Sequence, residues 1–350
     1  MSKTLKRLPF LVLALLTLST SACAQGGLQT FEHDGLQRGY RFHAPADLSP
    51  GAPLVIVMHG YGGSSSSMQN GYGWTELADE EGFAVCFPEG TRDQWNSRFW
   101  NVGYEFHADL DVDDTGFIVA LTEYLQIEHD LEPEHTFASG LSNGGDMSFQ
   151  LGCVASDTFH AIGPVVGTMM ATLHGNCSPD FPRPVIAFNG TDDDITLYEG
   201  DMDNSDGWGA YESTPNVIAL WAGILEAPEL ESTVLPDLDP TDGSRVELDR
   251  HWSTDHDREV RFYRVVDGGH DWPGAYGNMD VNATVEIWSF FEEVMSTSTD
   301  PADLDGDGII DGLDLSILLG SWSKPGVTDI DRNGITDGGD LSILLGSWSS

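Results

Sequence analysis

The sequence predicts an α/β protein with a mostly parallel central sheet flanked by helices, followed by a small calcium-loop-helix repeat domain. From residue 53 to 292, short apolar runs alternate with stretches of helical spacing, which is how strands joined by crossover helices read. Further on, Asp303 to Ser323 and Asp329 to Ser349 repeat closely at an offset of 26 residues, the mark of a duplicated unit. A chain of 350 residues holds one large core and something small, because single cores stop growing above roughly 250 residues.

The strands expected from these runs are Pro53 to Met58, Phe83 to Phe87, Thr136 to Ser139, Val185 to Phe188 and Val260 to Val266. Most run into glycine, aspartate or another turn former, and function in such sheets gathers at those strand ends. Helical spacing covers Thr115 to Ile127 and Gly145 to Val154, and Asn282 to Met295 closes the domain. Residues 296–302 then read as a linker, so the main domain is expected over 25–295 and the repeats over 303–350.

Residues 1–24 read as a signal peptide: Lys3, Lys6 and Arg7, then an apolar run to Leu18, then small residues. Ala22 and Ala24 flank Cys23 in the A-x-A pattern of ordinary cleavage, while Cys23 itself leaves a lipidated cysteine as the alternative. No later segment approaches about 20 uninterrupted apolar residues, so the expectation is an exported protein, secreted or associated with the cell surface. The formal charge of −42 repels nucleic acid and anionic membranes alike. In an oxidising compartment Cys153 and Cys177 are free to pair, and Cys86, inside an apolar strand, reads as a buried inert thiol.

Gly140-Leu-Ser-Asn-Gly144 follows one predicted strand and opens a predicted helix. That is the setting of a nucleophile elbow in the α/β-hydrolase fold, where flanking glycines let the chain turn sharply and present the serine above the sheet. Ser142 is therefore the candidate nucleophile. A serine hydroxyl needs a histidine to remove its proton, and the histidine needs a carboxylate to hold its tautomer. Two later strands supply them in that order: Gly190-Thr-Asp-Asp-Asp194, then Gly268-Gly-His-Asp-Trp272, with His270 as base. Spacing alone does not choose among the three aspartates. His59-Gly-Tyr-Gly-Gly63, after the first core strand, lies where this fold sends an amide to the oxyanion, which nominates the backbone amides of Tyr61 and Asn143 and leaves His59 a structural role.

Together H-G-Y-G-G, Val112-Asp-Asp-Thr-Gly-Phe117, G-L-S-N-G-G, G-T-D-D and G-G-H-D-W-P-G resemble the secreted poly(3-hydroxybutyrate) depolymerase and feruloyl esterase family, over roughly residues 30 to 295. The resemblance places the catalytic acid at Asp193, with Asp194 as fallback, and keeps Ser142 and His270 as nucleophile and base. It also marks departures: Tyr61 stands where the family often has a small residue or cysteine, and the family's further cysteines between acid and histidine are missing. Trp95, Trp100 and Trp272 lie on or near the expected site loops, where aromatic faces could bind substrate.

A calcium loop needs hard oxygens at positions 1, 3, 5, 9 and 12, a carbonyl at 7 and glycine at 6. The first repeat offers Asp303, Asp305, Asp307, Ile309, Asp311 and Asp314 around Gly308; the second offers Asp329, Asp331, Asn333, Ile335, Asp337 and Asp340 around Gly334. With aspartate at position 12 and a single helix-like stretch after each loop, the tail resembles a dockerin. That resemblance implies two Ca2+ ions and a cohesin-like scaffold as partner.

The function expected is a serine carboxylic ester hydrolase, acting without a cofactor on feruloyl or acetyl esters of cell-wall polysaccharide. A polyester depolymerase of the polyhydroxybutyrate type, a serine peptidase, and a non-catalytic surface binding protein of the same fold are the alternatives.

Overall fold

The structure is a computed structural model that describes residues 26–253, 256–297, 301–305, 309–331 and 333–348. The expected signal peptide with Cys23, the middle of the expected linker, and Asp307 lie outside the described residues.

In chain order the elements are β1 (Leu28–His33), β2 (Leu36–His43), β3 (Ala52–Met58), α1 (Ser65–Gly71), α2 (Trp74–Glu81), β4 (Ala84–Pro88), β5 (Thr91–Arg92) and β6 (Arg98–Phe99). Then come α3 (Asp114–His129), β7 (Leu131–Leu141), α4 (Asn143–Val154), β8 (Ala161–Val165), α5 (Ala171–Asn176) and β9 (Val185–Gly190). The main domain closes with α6 (Thr214–Ile224), β10 (Glu229–Val234), β11 (Arg245–Ser253), β12 (His256–Val266) and α7 (Ala283–Thr297), and α8 (Gly312–Gly320) and α9 (Gly338–Gly346) form the tail.

Ten strands make one sheet, in the order β1-β2-β4-β3-β7-β8-β9-β12-β11-β10. The pairings from β4 through β12 are parallel, and antiparallel strands extend both ends. Continuous apolar runs such as Leu54 to Met58 become parallel strands because helices cover both faces and every side chain is buried. Alternation splits that run between two cores. Leu54, Ile56 and Met58 pack with Phe117, Leu121 and Met147 of α3 and α4, while Val55 and Val57 join Trp74, Ile287 and Phe291 of α2 and α7.

The sheet is wider than the apolar runs alone suggest. β8 contains Pro164, and proline argues against a central strand; here the strand is wholly buried between β7 and β9. β1 alternates exposed with half-buried residues. The β11–β12 hairpin combines apolar pairs on its core face, Val246 with Val265 and Leu248 with Tyr263, with a charged ladder in which Arg250 Nε lies 2.7 Å from Glu259 Oε1 and Arg264 donates to Glu247 over 2.7 Å. β10, the last strand, is exposed at every position.

Cys153 Sγ and Cys177 Sγ are bonded, and Cys86 is buried in β4, where burial pushes its thiol well up. In the tail, α8 and α9 begin alike. Asp311 and Asp337 cap them, and Asp314 and Asp340 complete the two capping boxes. Leu318 and Leu344 close a small core with Ala302, Leu304 and Ile310. Arg258 of β12 reaches this module, donating to the Asp305 carbonyl over 3.1 Å with the Asp305 carboxylate 3.4 Å away.

Candidate active site

β7 delivers Ser142 at its carboxyl end with φ of 56° and ψ of −119°, a left-handed conformation that side chains rarely adopt. Such strain persists only where the surroundings enforce it. Here they do: the Ser142 amide donates to Val165 O over 2.8 Å, and Gly144 packs so closely on β3 that a Cβ would lie 2.3 Å from Met58 O. A Cβ on Gly140 would in turn meet Gly144 O at 2.4 Å. The two glycines of the motif therefore permit the crossing of β3, β7 and α4 that turns Ser142 out of the sheet.

Asn143 is the first residue of α4, where an amide has no acceptor within the helix. Its side chain is occupied elsewhere: Oδ1 accepts from Trp100 N over 2.7 Å, and Nδ2 donates to Trp100 O over 3.0 Å. Facing it, the loop after β3 is clamped by His59. Gly90 N donates to His59 Nε2 over 2.9 Å, so the proton lies on Nδ1, which donates to Gly60 O over 2.8 Å. Burial lowers the His59 pKa to about 4, so the ring stays neutral. Gly60 lies against Ser142, where a Cβ would approach the serine Cβ to 3.2 Å. Tyr61 follows it, anchored by its hydroxyl donating to Asp93 Oδ2 over 2.5 Å.

The loops after β9 and β12 are stitched together, Thr191 N donating to Val265 O and Asp192 N to Gly268 O, each over 2.9 Å. Asp193 Oδ2 lies 2.7 Å from His270 Nδ1, and Asp193 Oδ1 accepts the amides of Ile195 and Thr196 at 2.8 Å each. The Asp193 side chain is fully buried, that of His270 15% exposed. Asp194, by contrast, is exposed. Ile195 and Thr196 also line a cavity that Ser142 lines, so the turn at Ser142 and the loop bearing Asp193 meet at one place.

That cavity contains groups no motif announced. Asp146 lies one helical turn after Ser142, buried, with Oδ2 accepting from the Tyr104 hydroxyl over 2.5 Å and Oδ1 from Thr168 N over 2.7 Å. Burial raises its pKa to about 7, against the pull of those hydrogen bonds and of His270. Trp208 forms another side of the cavity and packs edge-on to Tyr104 at 5.1 Å and Tyr61 at 5.6 Å between ring centroids. Reading from sequence missed Tyr104, Asp146 and Trp208 because they come from separate loops and one helix face. Only the i, i+4 relation of Ser142 to Asp146 is visible in the chain.

The three tryptophans expected to meet substrate divide. Trp100 is fully buried, its indole donating to His59 O over 2.8 Å, and Trp272 is fully buried with its indole on Thr284 Oγ1 at 3.0 Å. Neither offers a face to a ligand, which corrects the expectation: Trp100 braces the loop after β3 against α4, and Trp272 fills the core beside Trp74 and Tyr72. Trp95 is 59% exposed, edge-on to Phe106.

In the tail, carboxylate oxygens of Asp303, Asp305 and Asp314 lie within 4.8 Å of one another, as do those of Asp329, Asp331 and Asp340. This donor set suits a hard divalent cation. Asp311 and Asp337 are engaged as helix caps, and Asn333 donates its amide to Asp329 Oδ1. Ile309 and Ile335, expected to contribute carbonyls, are exposed beside these groups.

Residues 40–219 match the family model described as Esterase PHB depolymerase. Among curated proteins, the putative esterase NocK of Nocardia uniformis subsp. tsuyamanensis is 32% identical over 47% of this chain and 48% of its own length. Feruloyl esterase B of Piromyces equi is 30% identical over 43% of this chain and 28% of its own. The chain thus spans about half or less of these relatives. Among solved structures, an acetyl xylan esterase from Aspergillus awamori superposes with a TM-score of 0.55 at 13% identity, covering 77% of this chain and all of that one; this likeness concerns the fold alone, which is α/β-hydrolase-like. Since the matched region takes in half of the chain, including β7, the elbow at Ser142 and the loop bearing Asp193, the protein belongs to the esterase PHB depolymerase family.

Proposed function

We propose that this protein is an exported serine carboxylic ester hydrolase acting on feruloyl or acetyl esters of cell-wall polysaccharide. The observation that carries this reading is the buried Asp193–His270 hydrogen bond of 2.7 Å, set at the same strand ends as the strained Ser142. Asp193 holds the His270 proton on Nδ1, which leaves Nε2 to take the Ser142 proton as Oγ attacks the ester carbonyl. The tetrahedral oxyanion is stabilised by the amides of Tyr61 and Asn143. Collapse gives an acyl-enzyme and the free alcohol, protonated by His270; water activated by the same imidazole then releases the acid. Relatives named for feruloyl and acetylxylan ester hydrolysis support the substrate class.

The repeats fit this role as an attachment module. In our reading Asp303, Asp305, Asp307, Asp311 and Asp314, and Asp329, Asp331, Asn333, Asp337 and Asp340, with the carbonyls of Ile309 and Ile335, hold two Ca2+ ions. Bound calcium supplies the charge that lets these carboxylates converge and the module hold its fold. Leu319 and Trp322, and at the equivalent places of the second repeat Leu345 and Trp348, are exposed apolar residues suited to a cohesin-like scaffold.

The test is hydrolysis of methyl ferulate, acetylated xylan, short p-nitrophenyl esters and polyhydroxybutyrate by wild type and Ser142→Ala, with calcium present. Release of ferulate or acetate, lost in the variant, is expected. Clearing of the polymer alone would move the assignment to a depolymerase, and inactivity of both proteins would leave a binding protein.

A further inference from the structure

We propose that Asp93 and His107 are positioning residues for ester hydrolysis, holding the loop after β3 so that the backbone amide of Tyr61 is aimed at the oxyanion. The inference rests on the serine esterase reading above and adds to it a second aspartate–histidine pair, one that acts through Tyr61 and not on the proton of Ser142.

The first argument is that the two candidate oxyanion amides belong to separate elements and share one bracket. Tyr61 stands in the loop after β3, where Gly60, Gly62 and Gly63 leave its phenol the only side chain within residues 60–63. Asn143 opens α4. The β5–β6 hairpin and the residue after it grip both. Gly62 N donates to Arg98 O over 2.7 Å, the Tyr61 hydroxyl to Asp93 Oδ2 over 2.5 Å, and Trp100 N to Asn143 Oδ1 over 2.7 Å. A glycine-rich backbone samples many conformations unless it is tied, and the bond to Asp93 is the tie made by a side chain of that stretch.

The second argument is how Asp93 divides its carboxylate. Oδ1 accepts Trp95 N at 2.9 Å and Ser97 N at 3.0 Å, which closes the turn between β5 and β6. Oδ2 is left for the Tyr61 hydroxyl and for His107 Nε2, 3.2 Å away. Burial pushes the Asp93 pKa up, yet the hydrogen bonds from Tyr61, His107, Ser97 and Trp95 together hold it below its ordinary value, so the group is an anion. Burial and then the bond to Asp93 raise the Tyr61 pKa, so the phenol keeps its proton and donates. Hydrogen bonds to an ionised acceptor are the stronger kind.

The third argument is the place of His107. An anionic acceptor at Oδ2 requires the proton on Nε2, and burial lowers the His107 pKa despite Asp93, so a neutral ring donates to the carboxylate. The side chains of Asp93 and His107 are both fully buried, and the imidazole packs on Phe99 at 4.0 Å and Phe106 at 4.4 Å between ring centroids. Neither residue lines the cavity beside Ser142. Their effect on the reaction therefore runs through Tyr61, whose amide stabilises an oxyanion best when it needs no reorientation as charge develops.

The test uses the full-length protein with calcium and p-nitrophenyl acetate, whose acylation and deacylation both pass through an oxyanion. Tyr61→Phe removes the hydroxyl and keeps the ring, while Asp93→Asn keeps an oxygen for the two turn amides and sets an NH2 against Tyr61; circular dichroism establishes folding. Each is expected to lower kcat about 10-fold, a part of the roughly 10²–10³-fold that outright loss of an oxyanion donor costs. KM should stay within about twofold, as for an interaction made only in the transition state, and the acid limb of the kcat profile should not move. The double variant should lose about as much as the worse single one, because both cut the same bond. His107→Gln, which can still offer an N–H to Oδ2, should retain several-fold more activity than His107→Leu. Wild-type kcat in folded Tyr61→Phe would overturn the proposal. So would losses that multiply in the double variant, a raised KM at constant kcat, or a displaced acid limb, since these would place the pair in substrate contact or in proton transfer. A wild type inactive on every ester, or full activity in Ser142→Ala, would instead sink the serine esterase reading on which the proposal rests.

Discussion

Asp193→Asn is the substitution whose effect the structure specifies most fully. Two amides, Ile195 N and Thr196 N, both donate to Asp193 Oδ1. An asparagine must therefore keep its carbonyl oxygen on that side, and its NH2 faces His270 where Oδ2 now lies 2.7 Å from Nδ1. A donor facing Nδ1 makes that nitrogen the acceptor and moves the imidazole proton to Nε2, the atom that accepts from Ser142 in the mechanism proposed above. The side chain is fully buried, so water cannot relieve the mismatch. Where the acid of such a triad is made amide, kcat falls about 10⁴-fold, equivalent to roughly 5 kcal/mol of transition-state stabilisation. Asp194→Asn, at an exposed position, is expected to change kcat by less than about twofold. Steady-state hydrolysis of p-nitrophenyl acetate by both variants, with circular dichroism to establish folding, makes the comparison. Retention of more than a tenth of kcat in folded Asp193→Asn, or an equal loss in Asp194→Asn, would refute the reasoning.

Two further outcomes are expected. His59 binds a proton more weakly folded, with its pKa near 4, than unfolded, near 6.5; the unfolded chain therefore holds the extra proton between those values, and stability is full above pH 6.5 and declines as pH falls toward 4. The loss amounts to about 3 kcal/mol, and denaturant unfolding at pH 7 and 4 should show wild type losing that much more than His59→Gln; parallel losses would count against it. Calcium is expected to raise the unfolding temperature of the tail, with a shift corresponding to about 2.7 kcal/mol at a hundredfold excess over Kd, while kcat on a soluble ester stays unchanged. A scan in chelator and in calcium, repeated with Asp314→Ala and Asp340→Ala, reads this directly, and a calcium-independent melt would remove the metal from the account.

Within the parallel part of the sheet, β3, β4 and β9 were legible because they are buried on both faces, which leaves unbroken apolar runs in the chain. The rest of the sheet lacks that signature. β1 and β10 alternate or expose their residues, β11 is only half-buried at most positions, and β8 carries a proline that local rules count against it. At the site, the elbow at Ser142 and the loop at His270 announce themselves through glycines with a steric task. The partner of His270 could not be read from three adjacent aspartates, since their order says nothing of which one two backbone amides will hold. The tryptophans misled for a related reason. Proximity to a loop in sequence does not tell whether an indole faces solvent or fills the core, and Trp100 and Trp272 do the latter, while Trp208, which borders the cavity, stands in a segment without any motif.

The exposed last strand has a consequence for how the molecule behaves in a crowd of its own copies. β10 leaves one edge of a ten-stranded sheet with backbone donors and acceptors turned to solvent, and such an edge is a template for another chain. Glu229 and Glu231 stand on it, in a protein whose formal charge is −42. Two copies approaching edge to edge thus bring like charges together before any ladder can form. That guard is purely electrostatic. It weakens as salt shortens the range of repulsion and disappears when acid neutralises the carboxylates, so acidified or salt-rich concentrated solutions of the protein are expected to associate along this edge.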